Sequence, residues 1–217
     1  MMMTHHGINS LSVMGGNAVR IGDRDYPVVK IGNQLWMAEN LDWKWDDLDI
    51  SSAVKSVPAA SYYNRNEATY GVNGLKYGLL YNGYASRYLE SNKSTMLPDG
   101  WHVPSVDDFA TLKSNSGGDV DSGANLKSTN GWEEYISPSL IPPTDKFKFN
   151  GKPAGRESST NSYSGVGKEC VFWTSSSGRF DYEGIVTMLL YGSNVLSVGA
   201  NFMNRARGFS IRLCKNL

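Results

Sequence analysis

Apolar residues come in this chain as short runs, each closed by glycine, asparagine or serine. Tyr26-Pro27-Val28-Val29-Lys30-Ile31 is closed by Gly32-Asn33, and Leu35-Trp36-Met37-Ala38-Glu39-Asn40-Leu41 follows at once. A Gly-Asn pair between two apolar runs is a hairpin signal. The same grammar returns near the other end in Cys170–Thr174, Gly184–Tyr191, Asn194–Val198 and Gly208–Cys214. Ser, Gly and Asn separate these runs as hairpin loops do. No run approaches the roughly 20 apolar residues of a membrane span.

Helical signals lie between the two strand-rich ends. Ser105 is a good N-cap for a helix from Val106 to about Ser114, because its hydroxyl accepts from an orphan amide. Asp107 and Asp108 fall in the first turn, where the dipole favours them. Val106, Phe109, Ala110 and Leu112 make the apolar stripe, and Gly117-Gly118 ends it. A second helix is expected over Tyr84–Leu89, with Ala85, Tyr88 and Leu89 on one side. Residues 123–167 read as mostly irregular, with Pro138, Pro142, Pro143 and Pro153. Strands at both ends around two helices predict an α+β fold, loop-rich, with small antiparallel sheets.

Composition narrows the function classes. Lys+Arg and Asp+Glu are 21 each, so no basic excess exists to drive binding to a phosphate backbone, and nucleic acid is excluded as a first reading. Charged residues are only 19%, while Gly reaches 23 residues and Tyr 12, the mix of a loop-rich globular protein and not of a helical bundle. Residues 1–20 are small, polar and aperiodic, and read as a leader or attachment segment through which the chain could form a homo-oligomer; residues 21–217 read as one domain. The start lacks a basic patch followed by an apolar core, so it is not a secretory signal. His5 and His6 fit either a tag remnant or a native start. Cys170 and Cys214 have no zinc-ligand spacing and form no CxxC pair. They fit one disulfide in a secreted chain or, more plainly, two small apolar side chains on strands.

Catalytic patterns are weak. His102, the only histidine outside the leader, lies in Gly100-Trp101-His102-Val103-Pro104 and reads as a hydrogen-bonded core residue. No Gly-x-Ser-x-Gly elbow and no phosphate-binding Gly-x-x-x-x-Gly-Lys loop occurs. A Cys–His nucleophile pair would need Cys170 or Cys214 beside His102, and nothing in the residue pattern supports it. Asp46, Asp47 and Asp49 offer the oxygens Ca2+ wants, but without the EF-hand spacing they read as a solvated acidic turn; Asp119 and Asp121 carry the same ambiguity. No cofactor or metal is expected. Binding fits better. Residues 175–207 are rich in Ser, Gly, Asn and Tyr, the residues of adaptable recognition surfaces. Phe180, Tyr182, Phe202 and Met203 stand in apparent loops, where burial cannot be assumed.

Six blocks in order carry a resemblance. Val29–Leu41 (VKIGNQLWMAENL), Tyr77–Asn82, Leu97–Ser105 (LPDGWHVPS), Leu126–Trp132, Phe172–Ser175 and Gly208–Leu213 resemble the signature blocks of the Fibrobacter succinogenes major paralogous domain. The resemblance implies a C-type-lectin-like fold, related to the formylglycine-generating-enzyme family but without that enzyme's cysteine arrangement, and hence a non-enzymatic protein. It makes His102 part of a structural block. It also implies kinship with variable proteins of diversity-generating retroelements in gut phages and bacteria. In those, a segment between a Phe-Trp-Thr-type and a Gly-Phe-Ser-type block is diversified at adenines.

Here that window runs from about Ser176 to Arg207. Strand alternation within it nominates Ser177, Arg179, Asp181, Glu183, Thr187, Leu189, Tyr191, Ser193, Leu196, Val198, Ala200, Phe202, Met203 and Arg205, with Phe180 and Tyr182, as ligand contacts. Trp36, Trp101, Trp132 and Trp173 are expected in the core, and Arg212 is expected to pair with a buried carboxylate. The expected partner is a cell-surface protein or glycan receptor, bound by a phage tail-associated adhesin on the virion. The alternative is a secreted or lipid-anchored domain on a bacterial surface that binds carbohydrate. The sugar-binding Glu-Pro-Asn and Trp-Asn-Asp triplets of C-type lectins do not occur.

Overall fold

The computed structural model describes residues 18–134 and 137–217. The proposed leader therefore lies almost wholly outside the described residues, as do His5 and His6. The chain opens with β1 (Ala18–Ile21), β2 (Arg24–Ile31) and β3 (Gln34–Met37) in an antiparallel meander. The predicted Gly-Asn hairpin is present: Ile31 pairs with Gln34 across it, and Gly32 adopts φ 59°. A Cβ there would meet the end of the Asn115 side chain at 2.5 Å, but it is the left-handed backbone of the turn that requires glycine.

The middle of the chain holds β4 (Ala60–Ser61), α1 (Glu67–Tyr70), β5 (Leu80–Tyr81), α2 (Gly83–Ser91), α3 (Lys93–Met96), β6 (Trp101–His102), α4 (Val106–Asn115) and α5 (Gly118–Leu126). The two expected helices are α2 and α4. Ser105 caps α4 in a full capping box: its hydroxyl accepts from Asp108 N while the Asp108 carboxylate accepts from Ser105 N. The Gly117-Gly118 pair ends α4 but also starts α5, which the residue pattern did not predict. Gly117 at φ 127° and Gly118 at φ 61° turn the chain, so the same glycines close one helix and open the next.

The last third contains β7 (Ala154–Ser159), β8 (Ser162–Val166), β9 (Glu169–Ser177), β10 (Glu183–Leu190), β11 (Ser197–Asn204) and β12 (Cys214–Asn216). The β7–β8 hairpin falls in the stretch expected to be irregular. β8 is Ser-Tyr-Ser-Gly-Val with no fully buried position, so it lacks the alternation that marks a half-buried strand.

Two five-stranded sheets organise the molecule, in the orders β1-β2-β3-β12-β6 and β11-β10-β9-β7-β8, with a small β4-β5 pair. Pairing is antiparallel except between β7 and β9. β9 lies inside the second sheet, and Glu169 through Thr174 are all buried. The α+β class expected from the residues is the observed class. Trp36, Trp101 and Trp173 are buried in the core as expected. Trp132 is only half-buried; it packs on the edge of the core and donates Nε1 to Gly151 O at 3.1 Å.

Arg212 departs from expectation. It is wholly buried, but its partners are carbonyl oxygens and not a carboxylate. The guanidinium donates to Phe149 O, to Asn40 Oδ1 and, at 3.3 Å, to Asn150 O, and lies 4.3 Å from the Phe149 ring centroid. Amide dipoles and an aromatic face meet most of the guanidinium, with Glu39 and Asp145 acting on it without a direct ion pair, while Nε has no hydrogen-bond partner among the described residues. Both cysteines are free and buried on strands, so the plainer of the two readings for them is the observed one.

Candidate functional site

The window that follows the Phe172-Trp173-Thr174 block is built on β9, β10 and β11. Loop 178–182 joins β9 to β10 and stands at one end of the second sheet. Its side chains face outward: Phe180 is 57% exposed and Tyr182 53%, and on the neighbouring strand β11 Phe202 is 41% exposed. Three large rings left in water on one surface are costly unless they meet a partner. Phe180 and Tyr182 stack with centroids 5.4 Å apart and planes 5° from parallel. The Arg179 guanidinium lies 4.7 Å from the Phe202 ring centroid, which ties the loop to β11.

The loop is held from beneath. Arg205 donates Nε to Asp181 O at 2.8 Å and its amide to Tyr182 O at 2.8 Å. Glu183 Oε2 accepts from Arg179 N at 3.2 Å. The aromatic residues are thus displayed on a backbone that is pinned at several points, which lowers the entropy lost when a ligand binds. Beside the loop is a polar cleft of about 190 Å3, lined by Arg87, Glu90, Thr174, Ser175, Ser177 and Arg205 among others.

Of the sixteen nominated contacts, the structure brings Ser177, Arg179, Phe180, Asp181, Tyr182 and Phe202 to the exposed surface, with Glu183 and Met203 half-buried beside them. Four others are buried: Thr187, Leu189 and Leu196 are corrections, whereas Arg205 still lines the polar cleft. The register of β10 against β11 shifts between Val186 and Met188. That irregularity turns Val186 and Thr187 inward together and reverses the alternation. Counting every second residue from Glu183 therefore fails beyond Ile185, and the half-exposed positions are Ile185, Met188 and Leu190. Leu196 fills the second core cluster. Arg205 supports the loop from inside.

Ser193 and Val198 are half-buried. Ser193 is engaged in its own turn: its hydroxyl meets Val195 N and O at 3.1 Å, and its carbonyl accepts from Lys127 Nζ at 2.6 Å. Val198 packs on the core. Ala200 belongs to β11, and its side chain lies outside the described residues. Tyr191 lines a different and larger cleft, of about 400 Å3, with Arg156, Lys168 and Glu169. Volume favours that cleft, but Arg156 and Glu169 already pair across it at 3.2 Å. The aromatic loop, whose rings stay exposed although Phe180 stacks on Tyr182 and Arg179 lies over Phe202, carries the stronger case.

The acidic turn is used locally. Asp49 accepts from Ser51 N at 2.9 Å, from Ser51 Oγ at 2.7 Å and from Lys55, and these bonds, Lys55 first, pull its carboxyl down to about 2. One constellation is present that the residue pattern did not support. The C-terminal strand brings Cys214 Sγ to 3.3 Å from His102 Nε2, and Asp108 Oδ2 lies 3.2 Å from the same nitrogen. The Cys–His proximity that lacked sequence support is therefore real. Its geometry is not that of an activated nucleophile. Thiol and carboxylate share one ring nitrogen, whereas a triad places them on opposite ones. Burial drives the Cys214 thiol far above its usual range, and the residue has no exposed surface.

No curated protein and no solved structure matches the chain. The model of the Fibrobacter succinogenes major domain matches residues 29–215, from the second strand to the last, and the chain belongs to that family.

Proposed function

We propose that the protein is a non-enzymatic ligand-binding module of C-type-lectin-like fold, with its binding face built by loop 178–182 and the adjoining end of β11. The carrying observation is the cluster of exposed rings, Phe180, Tyr182 and Phe202, on a loop tied down by the buried Arg205. Rigid aromatic anchors on a supported backbone are the usual origin of binding hot spots. Support for the finer fold reading comes from the C-terminal strand, which returns between β3 and β6 to join the two ends of the domain. The non-enzymatic reading rests on the buried thiol at Cys214 and on the shared nitrogen of His102. The ligand on this reading is a cell-surface receptor, protein or glycan, met by a tail-associated phage adhesin whose window from Ser176 to Arg207 is diversified.

A second reading, a bacterial surface domain that binds carbohydrate, is favoured by one observation. The polar cleft beside the stacked rings offers hydroxyls and guanidinium groups together, the donors a sugar or an acidic sugar takes. Arrays of glycans and of surface proteins, probed with wild type and with the Phe180→Ser/Tyr182→Ser/Phe202→Ser variant, test both readings. Met203 is left in place because it packs against the core. Loss of binding by a variant that still folds is the expected result. Unchanged binding would move the site off this face. Diversification is tested in the gene: a nearby template repeat, differing only at adenines, is expected.

A further inference from the structure

We propose that His102, Asp108 and Cys214 form a binding site for one divalent cation of the zinc class, which locks the C-terminal strand to the start of α4. The three residues arrive from separate elements: His102 from β6, Asp108 from the first turn of α4 and Cys214 from β12. Their ligand atoms all lie within 4.8 Å of one another.

The spacing matches coordination. A tetrahedral zinc ion with ordinary bond lengths holds neighbouring sulfur, nitrogen and oxygen ligands about 3.4 to 3.6 Å apart. The Sγ–Nε2 and Nε2–Oδ2 separations are 3.3 and 3.2 Å, so two of the three edges need only small adjustments. Two of the three ligands, His102 and Asp108, are also held by neighbours. His102 Nδ1 lies 3.1 Å from Gly100 O, which accepts its proton and leaves the Nε2 lone pair facing the thiol and the carboxylate. This is the arrangement that metal-bound histidines adopt. Asn216 Nδ2 donates to Asp108 Oδ1 at 2.8 Å, and Ser105 N and Oγ hold Oδ2 at 2.8 and 2.7 Å.

Without an ion, a proton on Nε2 lets His102 donate to Asp108 and serves that one neighbour, whereas a metal ion would serve the ring, the carboxylate and the sulfur at once. Metal binding also makes a thiolate accessible in a buried setting, because the cation carries the compensating charge. His102 keeps 16% of its side-chain surface exposed, which gives an ion a way in.

Full-length protein stripped with chelator and titrated with Co2+ tests the site. The expected result is uptake of a single equivalent with a thiolate-to-cobalt charge-transfer band, displaced by Zn2+, lost in Cys214→Ser and kept in Cys170→Ser. A folded wild type without the band, or a band that depends on Cys170, overturns the proposal. Ring 15N shifts of His102 in wild type decide independently of any variant's folding. Zn2+ should move Nε2 and leave Nδ1 in place, and an unchanged Nε2 that carries a proton overturns the site.

Discussion

Arg212 is the most buried cation of the molecule and the one whose partners were least predictable. Burial, the largest influence, pulls its pKa down to about 10, opposed by the nearby Cys170, Glu39 and Asp145, so it stays charged at neutral pH, surrounded by three carbonyl oxygens and the rings of Phe149 and Phe172. Arg212→Met should destabilise the domain by about 3 kcal/mol or more, since it strands these acceptors. Arg212→Lys should not recover the loss, because an ammonium cannot span the same fork of acceptors; urea denaturation of both variants checks this. Lys127 is the titratable counterpart. Burial lowers its pKa from 10.5 to about 8, while Nζ donates to Ser193 O and lies 5.1 Å from the Trp132 ring centroid. A base whose folded pKa is depressed binds fewer protons when folded than when unfolded between those two values. Its contribution to stability therefore rises with pH from about 8 toward 10.5 and is flat below. Denaturation at pH 7, 8, 9 and 10 should show that rise in wild type relative to Lys127→Met, and parallel curves would refute it.

At the scale of elements, the irregularity in β10 decides which side chains the second sheet displays. It leaves Thr187 wholly buried, with a hydroxyl that has no hydrogen-bond partner among the described residues. An unpaired buried hydroxyl is unfavourable, so Thr187→Val should stabilise the domain by about 1 kcal/mol and leave ligand binding unchanged. A loss of binding in that variant would mean that Thr187 reaches the ligand after all. The same irregularity limits what alternation can say from residues alone. Glu183 and Ile185 follow the period of two, and Thr187 and Leu189 then break it. A register shift depends on how β9 and β11 clamp the strand, and that information is not in β10's own residues. The helices contrast with this. α4 was legible from its cap, its acidic first turn and its stripe, because each is a local signal spaced within one helical turn. α5 was not, because its glycine start looks like a helix end.

For the molecule as a whole, the closing move is the insertion of β12 between β3 and β6, with Cys214 opposite both Trp36 and His102. Residues 214–216 thus form an interior strand of the first sheet. Removal of residues 214–217 should abolish cooperative folding and not merely trim a tail, which circular dichroism with thermal denaturation would reveal. Pairings this distant in sequence also predict slow folding for a domain of this length.

Local signals settled much in advance: the hairpin at Gly32-Asn33, the capped helix α4, the α+β class, the buried tryptophans at 36, 101 and 173, and the prominence of Phe180, Tyr182 and Phe202. Each rests on turn chemistry, on periodicity or on side-chain type, which neighbours a few residues apart express directly. Tertiary structure alone decided the rest. It turned Thr187, Leu189, Leu196 and Arg205 inward, gave Arg212 carbonyl partners where a carboxylate was expected, and joined Cys214 to His102 and Asp108. These outcomes depend on contacts between residues up to 172 positions apart, and the residues themselves carry no record of which distant strand will lie beside them.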